Sequence, residues 1–193
     1  MSLKKNMLII VCLIAALTTS GCTTAVSKIK VDTKNIKQIE VATIKWQFNP
    51  NMQIKIKKLS RGTGQITAYD KAFAVKGANN LVKQFSNHLY NKLSVEFDKR
   101  GTKSKKWGDG VPSTSILTVQ GTSSYTELDP KICNQHSLMM DVVLLESGKY
   151  VWEGKFKVGA PCGKKDDETV VQNFVETLVN KLEKAKALKK LDG

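Results

Sequence analysis

Residues that usually carry out catalysis are scarce in this chain. Only two histidines, His88 and His136, occur among its 193 residues. The sequence contains no Gly-x-Ser-x-Gly nucleophile motif, no His-Glu-x-x-His metal motif and no complete set of zinc ligands. A glycine-bearing turn at residues 61–65 lacks the remainder of a phosphate-binding loop. These absences favour a protein that is not an enzyme and that uses no cofactor or metal.

Arginine is also rare, although the chain is strongly basic. Lysine and arginine number 31 against 17 aspartates and glutamates, and the formal net charge is +14. Arg61 and Arg100 are the only arginines, whereas arginine is the residue expected where phosphate is recognised by shape. The charge therefore predicts attraction to lipid headgroups, acidic wall polymers or acidic proteins, and nucleic acid is not an expected partner.

No hydrophobic run in the chain is long enough to cross a bilayer. The longest, residues 7–17, has eleven residues and spans about 16 Å as a helix, against a hydrocarbon core of about 30 Å. It follows Lys4 and Lys5, and small and polar residues then lead to a single cysteine, Cys22. This order of charged, apolar and small residues is typical of a cleaved export signal.

The segment ending in Thr19-Ser20-Gly21-Cys22 resembles bacterial lipoprotein precursors, with Thr19 where leucine is usual. The resemblance implies that residues 1–21 are a signal peptide and that Cys22 carries lipid, which would anchor the protein to a membrane. Thr23 after the cysteine favours the outer membrane, with the protein facing the periplasm. An ordinary secretory signal and an uncleaved short anchor are the alternatives.

The remaining cysteines suit an exported protein. Cys12 leaves with the signal and Cys22 carries lipid, so that Cys133 and Cys162 are left as a pair. An even number of cysteines in an oxidising compartment predicts a disulfide. One alternative is a metal site, since Cys133 and His136 have ligand-like spacing and Cys162 offers a third ligand. Two free thiols are the other.

Residues 22–34 show no helical or strand period, and the lipoprotein resemblance implies that they are a lipidated tether and that residues 35–193 form one periplasmic domain, which hydrophobic periodicity predicts to be α+β. Strands are expected at 36–48 and 52–59, joined as a hairpin, and at 114–126, 137–145 and 150–158, with a bulge near Gly121. Helices are expected from Asn79 or Asn80 to about Asp98, and from Thr169 to about Leu188. The expected fold is a mostly antiparallel sheet of about five strands, with two long amphipathic helices on one face.

A basic cluster beside an aromatic residue is the best candidate for a recognition surface. Lys103, Lys105, Lys106 and Trp107 lie in an expected loop, where lysines could meet phosphates while the indole stacks. The alternative is a solvated loop with its tryptophan folded onto the core. The whole chain predicts a non-catalytic accessory or assembly factor that binds another envelope protein. A module that binds an anionic polymer or lipid through this cluster, and an undetected hydrolase, are the alternatives.

Overall fold

A computed structural model describes residues 23–26, 38–58, 65–128, 135–159 and 167–191. They form a six-stranded sheet in the order β1-β6-β5-β4-β2-β3. The strands are β1 (Thr23–Val26), β2 (Val41–Lys58), β3 (Lys103–Lys106), β4 (Ser115–Leu128), β5 (Gln135–Glu146) and β6 (Lys149–Gly159), and the helices are α1 (Ala68–Asp98) and α2 (Asp167–Lys184). Neither of these helices combines the length and the apolar character that crossing a membrane requires.

The sheet is mixed. The pairs β1–β6, β6–β5 and β5–β4 are antiparallel, whereas β2 pairs with β3 and with β4 in parallel. Helix α1 carries the chain back between β2 and β4, which is the crossover that a parallel pair requires. The predicted α+β class with two helices is therefore confirmed, but the sheet has six strands and two parallel pairs.

The predicted hairpin over residues 36–59 is wrong, because β2 is one long strand. Its register against β4 shifts between Phe48 and Gln53, where the Asn49-Pro50-Asn51 segment forms an irregularity. The Asn51 backbone N–H donates to Asn49 Oδ1 at 2.9 Å. Proline lacks a backbone donor and is therefore tolerated in a sheet at an edge or a bulge. The same residues that resemble a turn in the sequence thus interrupt a strand without reversing it.

Two segments that were not predicted to be strands also form strands in the structure. Thr23–Val26, expected within the tether, pairs with β6 so that Thr23 lies opposite Val158. Lys103–Lys106, expected in a loop, pairs with β2 at the other end of the sheet. The β5–β6 hairpin and the bulge after Gly121 are confirmed. Cys22, Cys133 and Cys162 lie outside the described residues, so lipidation and the disulfide stay predictions.

Helix α1 begins about three turns before the predicted Asn79 or Asn80. Thr67 caps it: the Asp70 backbone N–H donates to Thr67 Oγ1 at 3.1 Å, and the Thr67 backbone N–H donates to Asp70 Oδ2 at 2.8 Å. The helix ends at Asp98, as predicted, and a turn follows in which Gly101 has a φ of 74°. That left-handed backbone favours glycine.

The core lies between one face of the sheet and the two helices. Alternate residues of the central strands are fully buried, and so is every fourth residue along much of α1. Phe85 of α1 and Phe156 of β6 each meet Phe174 of α2 edge to face, with ring centroids 5.4 and 5.1 Å apart. The opposite face of the sheet carries most of the partly exposed residues of β4, β5 and β6, and we call it the open face.

Candidate functional site

Among the residues that the structure describes, few pair with the outer edge of β2. β3 pairs only with Val41–Ile44, and its last backbone contact is the Trp107 N–H donating to Ile44 O at 2.9 Å. From Lys45 to Lys58, no strand among the described residues pairs with this edge. The part with regular pairing to β4 after the irregularity is Gln53–Lys58. We call this part the free edge, since its outward backbone N–H and C=O groups can pair with another strand.

An apolar groove of about 350 Å³ runs beside the free edge on the helix side. Its walls are Ile54 and Ile56 of β2, Ile66 just before α1, and Lys71 and Val75 in the first turns of α1. Ile66 and Val75 are 43% and 42% exposed. The first turns of α1 thus extend past β2, over the position that a further strand would occupy.

An ion pair between Lys58 and Asp70 joins the end of β2 to the start of α1 beside this groove. Lys58 Nζ lies 2.8 Å from Asp70 Oδ2 and donates to Gln65 O at 2.8 Å. The hydrogen bond from Lys58, followed by those from the backbone and hydroxyl of Thr67, lowers the pKa of Asp70 to about 2. The ionised carboxylate therefore ties the end of β2 to the cap of α1 at neutral pH.

Lysines line the open face along the same edge. Lys55 and Lys57 alternate with the groove isoleucines and are exposed. Neither forms an ion pair with an acid in the part of the chain that the structure describes. Glu127, which lies beside Lys57 in register, is 3.7 Å from Lys157 Nζ. The free edge is therefore apolar on one side and cationic on the other.

The structure divides the predicted basic cluster between two faces. Register with β2 places Lys106 beside Ile44, on the helix side, while Lys103, Lys105 and the following Trp107 alternate onto the open face. Trp107 is 43% exposed, so its ring is not buried in the core. Lys105 Nζ donates to the Val111 carbonyl.

Lys45 of β2 joins this cluster, and sequence reasoning missed it. Lys45 Nζ lies 4.3 Å from the centroid of the Trp107 ring, within the range of a cation–π contact. The two residues are 62 positions apart, and only the parallel pairing of β2 with β3 brings them together. No local sequence signal marks that pairing.

The two histidines occupy different surroundings. His136 packs against Phe73, with ring centroids 4.8 Å apart, and its Nδ1 lies 2.9 Å from Thr126 Oγ1. Burial lowers the pKa of His136, and a Cβ at Gly77 would lie only 2.2 Å from its ring. Thr126 is fully buried, so its hydroxyl is out of reach of a substrate. His136 thus packs against α1 at Phe73 and Gly77.

His88 lies in a shallow groove between the helices. Its Nδ1 is 3.1 Å from Glu168 Oε1, and both side chains are partly exposed. Both histidines are thus partly buried and in contact with other side chains. No group of three metal-ligating side chains occurs within the described ranges.

Comparison with known proteins finds solved structures that are similar to this chain. No protein-family model matches it, and neither does any curated protein. Among solved structures, it is similar to a PelC dodecamer from Paraburkholderia phytofirmans, with 8% identity, a TM-score of 0.41, and coverage of 87% of this chain and 99% of that one. It is also similar to a DUF330 protein from Xanthomonas campestris, with 11% identity, a TM-score of 0.43, and coverage of 82% and 94%.

Proposed function

We propose that this protein is a lipid-anchored accessory factor of the bacterial envelope, which binds another envelope protein along the free edge of β2. The observation that carries the proposal is the unpaired edge at Gln53–Lys58 with an apolar groove beside it. Domains that bind extended segments use this combination, because the strand edge supplies backbone hydrogen bonds and the groove receives alternate side chains. Neither contribution needs a catalytic group or a cofactor.

Strand β1, which directly follows the proposed lipidation site, and the free edge of β2 lie toward opposite ends of the sheet. Cys22, the proposed lipidation site, directly precedes β1, and three strands separate β1 from β2. The four spacings between neighbouring strands from β1 to β2 add up to a distance of about 19 Å. A partner could therefore reach the free edge while the N-terminus is held at the outer membrane.

Photocrosslinking in intact cells tests the proposed binding. A photoreactive residue in place of Gln53, which is exposed on the free edge, should yield a protein adduct. The same residue in place of Asn180, exposed on α2, is the matched control and should yield little. Equal adduct yields from the two positions, or no protein adduct from Gln53, would contradict the proposal.

The proposed anchor has a separate test. Cys22→Ser should move the protein from the membrane fraction to the soluble periplasmic fraction, because it removes the thiol that accepts lipid. Ser20→Ala, which keeps a small residue before the cysteine, is the control and should leave the protein in the membrane fraction. A Cys22→Ser protein that stays with the membrane would refute the lipid anchor.

A second candidate function is the binding of an anionic envelope polymer or lipid at the open face of β3. The exposed Trp107 ring, with Lys45 held over it and Lys103 and Lys105 beside it, favours this alternative. Binding to an acidic polysaccharide should weaken as salt is added and should fall on Lys45→Glu with Lys105→Glu. Lys83→Glu with Lys184→Glu, both on exposed helix positions, makes the same charge change and should bind nearly as well. Equal loss in the two variants would exclude a specific site.

A further inference from the structure

The chemistry of the free edge also indicates what kind of strand it accepts. We propose that its occupant is an extended segment of another protein in which apolar and acidic residues alternate. The apolar side chains would enter the groove beside α1, and the carboxylates would face Lys55 and Lys57. This inference rests on the proposed function, since it specifies the partner of the same edge.

The alternation follows from the geometry of β2. Ile54 and Ile56 project to the helix side, while Lys55 and Lys57 project to the open face. An added strand shares the pleat of its neighbour, so its own side chains must also alternate between these two environments. One side of the added strand therefore meets the groove, and the other side meets the lysines.

The groove selects apolar side chains. Ile54 and Ile56 are only partly buried, although they lie at positions where the central strands bury their residues completely. Ile66 and Val75 supply exposed apolar surface opposite them. Side chains from a further strand would cover all four residues and extend the core by one strand.

The open face selects acidic side chains. Lys55 and Lys57 have no acid as an ion-pair partner among the described residues, and the neighbouring Glu127 is 3.7 Å from Lys157. Opposite charges directly across two strands are favourable, whereas like charges are unfavourable. Aspartate or glutamate on the open side of the added strand therefore fits this edge.

The positive charges of Lys55 and Lys57 argue against two other occupants of the free edge: a second copy of this chain, and residues 27–37 of the same chain. A second copy pairing through β2 would bring its own lysines against Lys55 and Lys57, and Pro50 would limit the length of the pairing. Residues 27–37 of this chain contain four lysines and one acid, so their charge has the wrong sign. A separate acidic chain is the occupant that the charges favour.

Capped synthetic peptides test the inference with the full-length protein in detergent. The probe is an eight-residue peptide of alternating valine or isoleucine and aspartate or glutamate. One control replaces every acid by lysine, and the other keeps the composition but groups the apolar residues. We expect the alternating acidic peptide to bind at least tenfold more tightly than either control and to slow amide hydrogen exchange at Gln53–Lys58.

Two variants assign the effect to the named side chains. Lys55→Glu with Lys57→Glu should reverse the preference toward the lysine peptide, whereas Lys83→Glu with Lys184→Glu should not. Val75→Asp, at an exposed position, should weaken binding of the acidic peptide by introducing charge into the groove. All of these positions are exposed, so the variants should keep the fold.

The outcomes separate this inference from the proposed function. Equal binding of the acidic and lysine peptides would overturn the charge preference. Absence of binding by every peptide, with crosslinking from Gln53 intact, would overturn strand addition and leave partner binding at this edge supported. Absence of both signals would overturn the proposed function itself. A preference that is unchanged in Lys55→Glu with Lys57→Glu would remove the role of these two lysines.

Discussion

Arg100 is the most strongly connected buried charge in the described structure. Its side chain is 7% exposed; Nε donates to Glu183 Oε1 at 2.6 Å, and Nη1 donates to Glu96 Oε2 at 2.8 Å and to Glu96 O at 2.7 Å. Removing one partner of a buried ion pair leaves the other without compensation. We expect Arg100→Met to lower the free energy of unfolding by about 3 kcal/mol, as measured by urea denaturation.

A double-mutant cycle supplies the control for Arg100. Glu183→Gln in the Arg100→Met background should cost much less than it does alone, since the carboxylate has already lost its cation. If the losses of unfolding free energy in Arg100→Met and Glu183→Gln simply add in the double variant, the two side chains do not stabilise each other. Nothing in the sequence near Arg100 marks its contact with Glu183, which is 83 residues away.

His136 should make the stability of the protein depend on pH near neutrality. Burial lowers its pKa in the folded protein, while the unfolded chain binds a proton near pH 6.5. Below that value the unfolded state holds more protons, so stability falls as the pH decreases from about 6.5 toward the folded pKa, and the contribution of His136 is constant above about pH 6.5. The unfolding midpoint of the wild type should therefore drop between pH 7.5 and 5.5.

His136→Gln is the variant that isolates this effect, because glutamine does not titrate. Its unfolding midpoint should change less over the same pH range than that of the wild type, with His88 common to both proteins. If the unfolding midpoints of the wild type and of His136→Gln change equally with pH, His136 is not the source of the pH dependence. The sequence suggested His136 as a metal ligand only through its spacing from Cys133, whereas its described contacts are with Phe73 and Thr126.

At the scale of single elements, the start of α1 depends on the reciprocal contacts of Thr67 and Asp70. Thr67→Ala should destabilise the protein by about 1 kcal/mol, because it removes the hydroxyl that accepts the Asp70 N–H. Asp70→Asn should also destabilise it at pH 7. The pKa of Asp70, about 2, lies below the unfolded value, so its contribution is present above about pH 4 and is lost as the pH falls toward 2.

The pH dependence distinguishes this carboxylate from an ordinary surface charge. The difference in unfolding free energy between wild type and Asp70→Asn should shrink as the pH is lowered from 5 to 3. Asp98→Asn, at the exposed far end of α1, is the matched control for the removal of one carboxylate from this helix. A difference that stays constant down to pH 3 would contradict the role of the Lys58 and Thr67 hydrogen bonds.

Sequence reasoning missed the first turns of α1 and the continuation of β2 through its Asn-Pro-Asn segment, because local sequence patterns mark neither of them. The α1 stripe at Leu81, Phe85 and Leu89 is buried and was predicted, whereas the first turns lie past the core and carry exposed residues such as Tyr69, which is 78% exposed. The Asn-Pro-Asn segment in β2 has the composition of a turn. Whether it reverses the chain depends on its pairing with β4, which is established only after α1 has crossed back.

At the scale of the whole molecule, local sequence patterns predicted a sheet and two helices but not the order and direction of the strands in the sheet. The two helices and the β5–β6 hairpin follow from short-range periodicity, and they are confirmed. The parallel pairs, the N-terminal strand β1 and the free edge of β2 depend on contacts between distant segments. For this reason the sequence directed attention to the lysines of β3, while the free edge and its groove were found only in three dimensions.

The predicted disulfide concerns the stability of the whole domain. Ser137 pairs with Gly159, so Cys133 lies four residues before one strand position and Cys162 lies three residues after its partner. A bridge between them would close a loop of about 30 residues and stabilise the domain by roughly 3–4 kcal/mol. Reductant should lower the urea midpoint of the wild type, and Cys133→Ser with Cys162→Ser should have the lower midpoint with or without reductant. Alkylation of both thiols in the native, unreduced protein, after denaturation, would show that the bridge is absent.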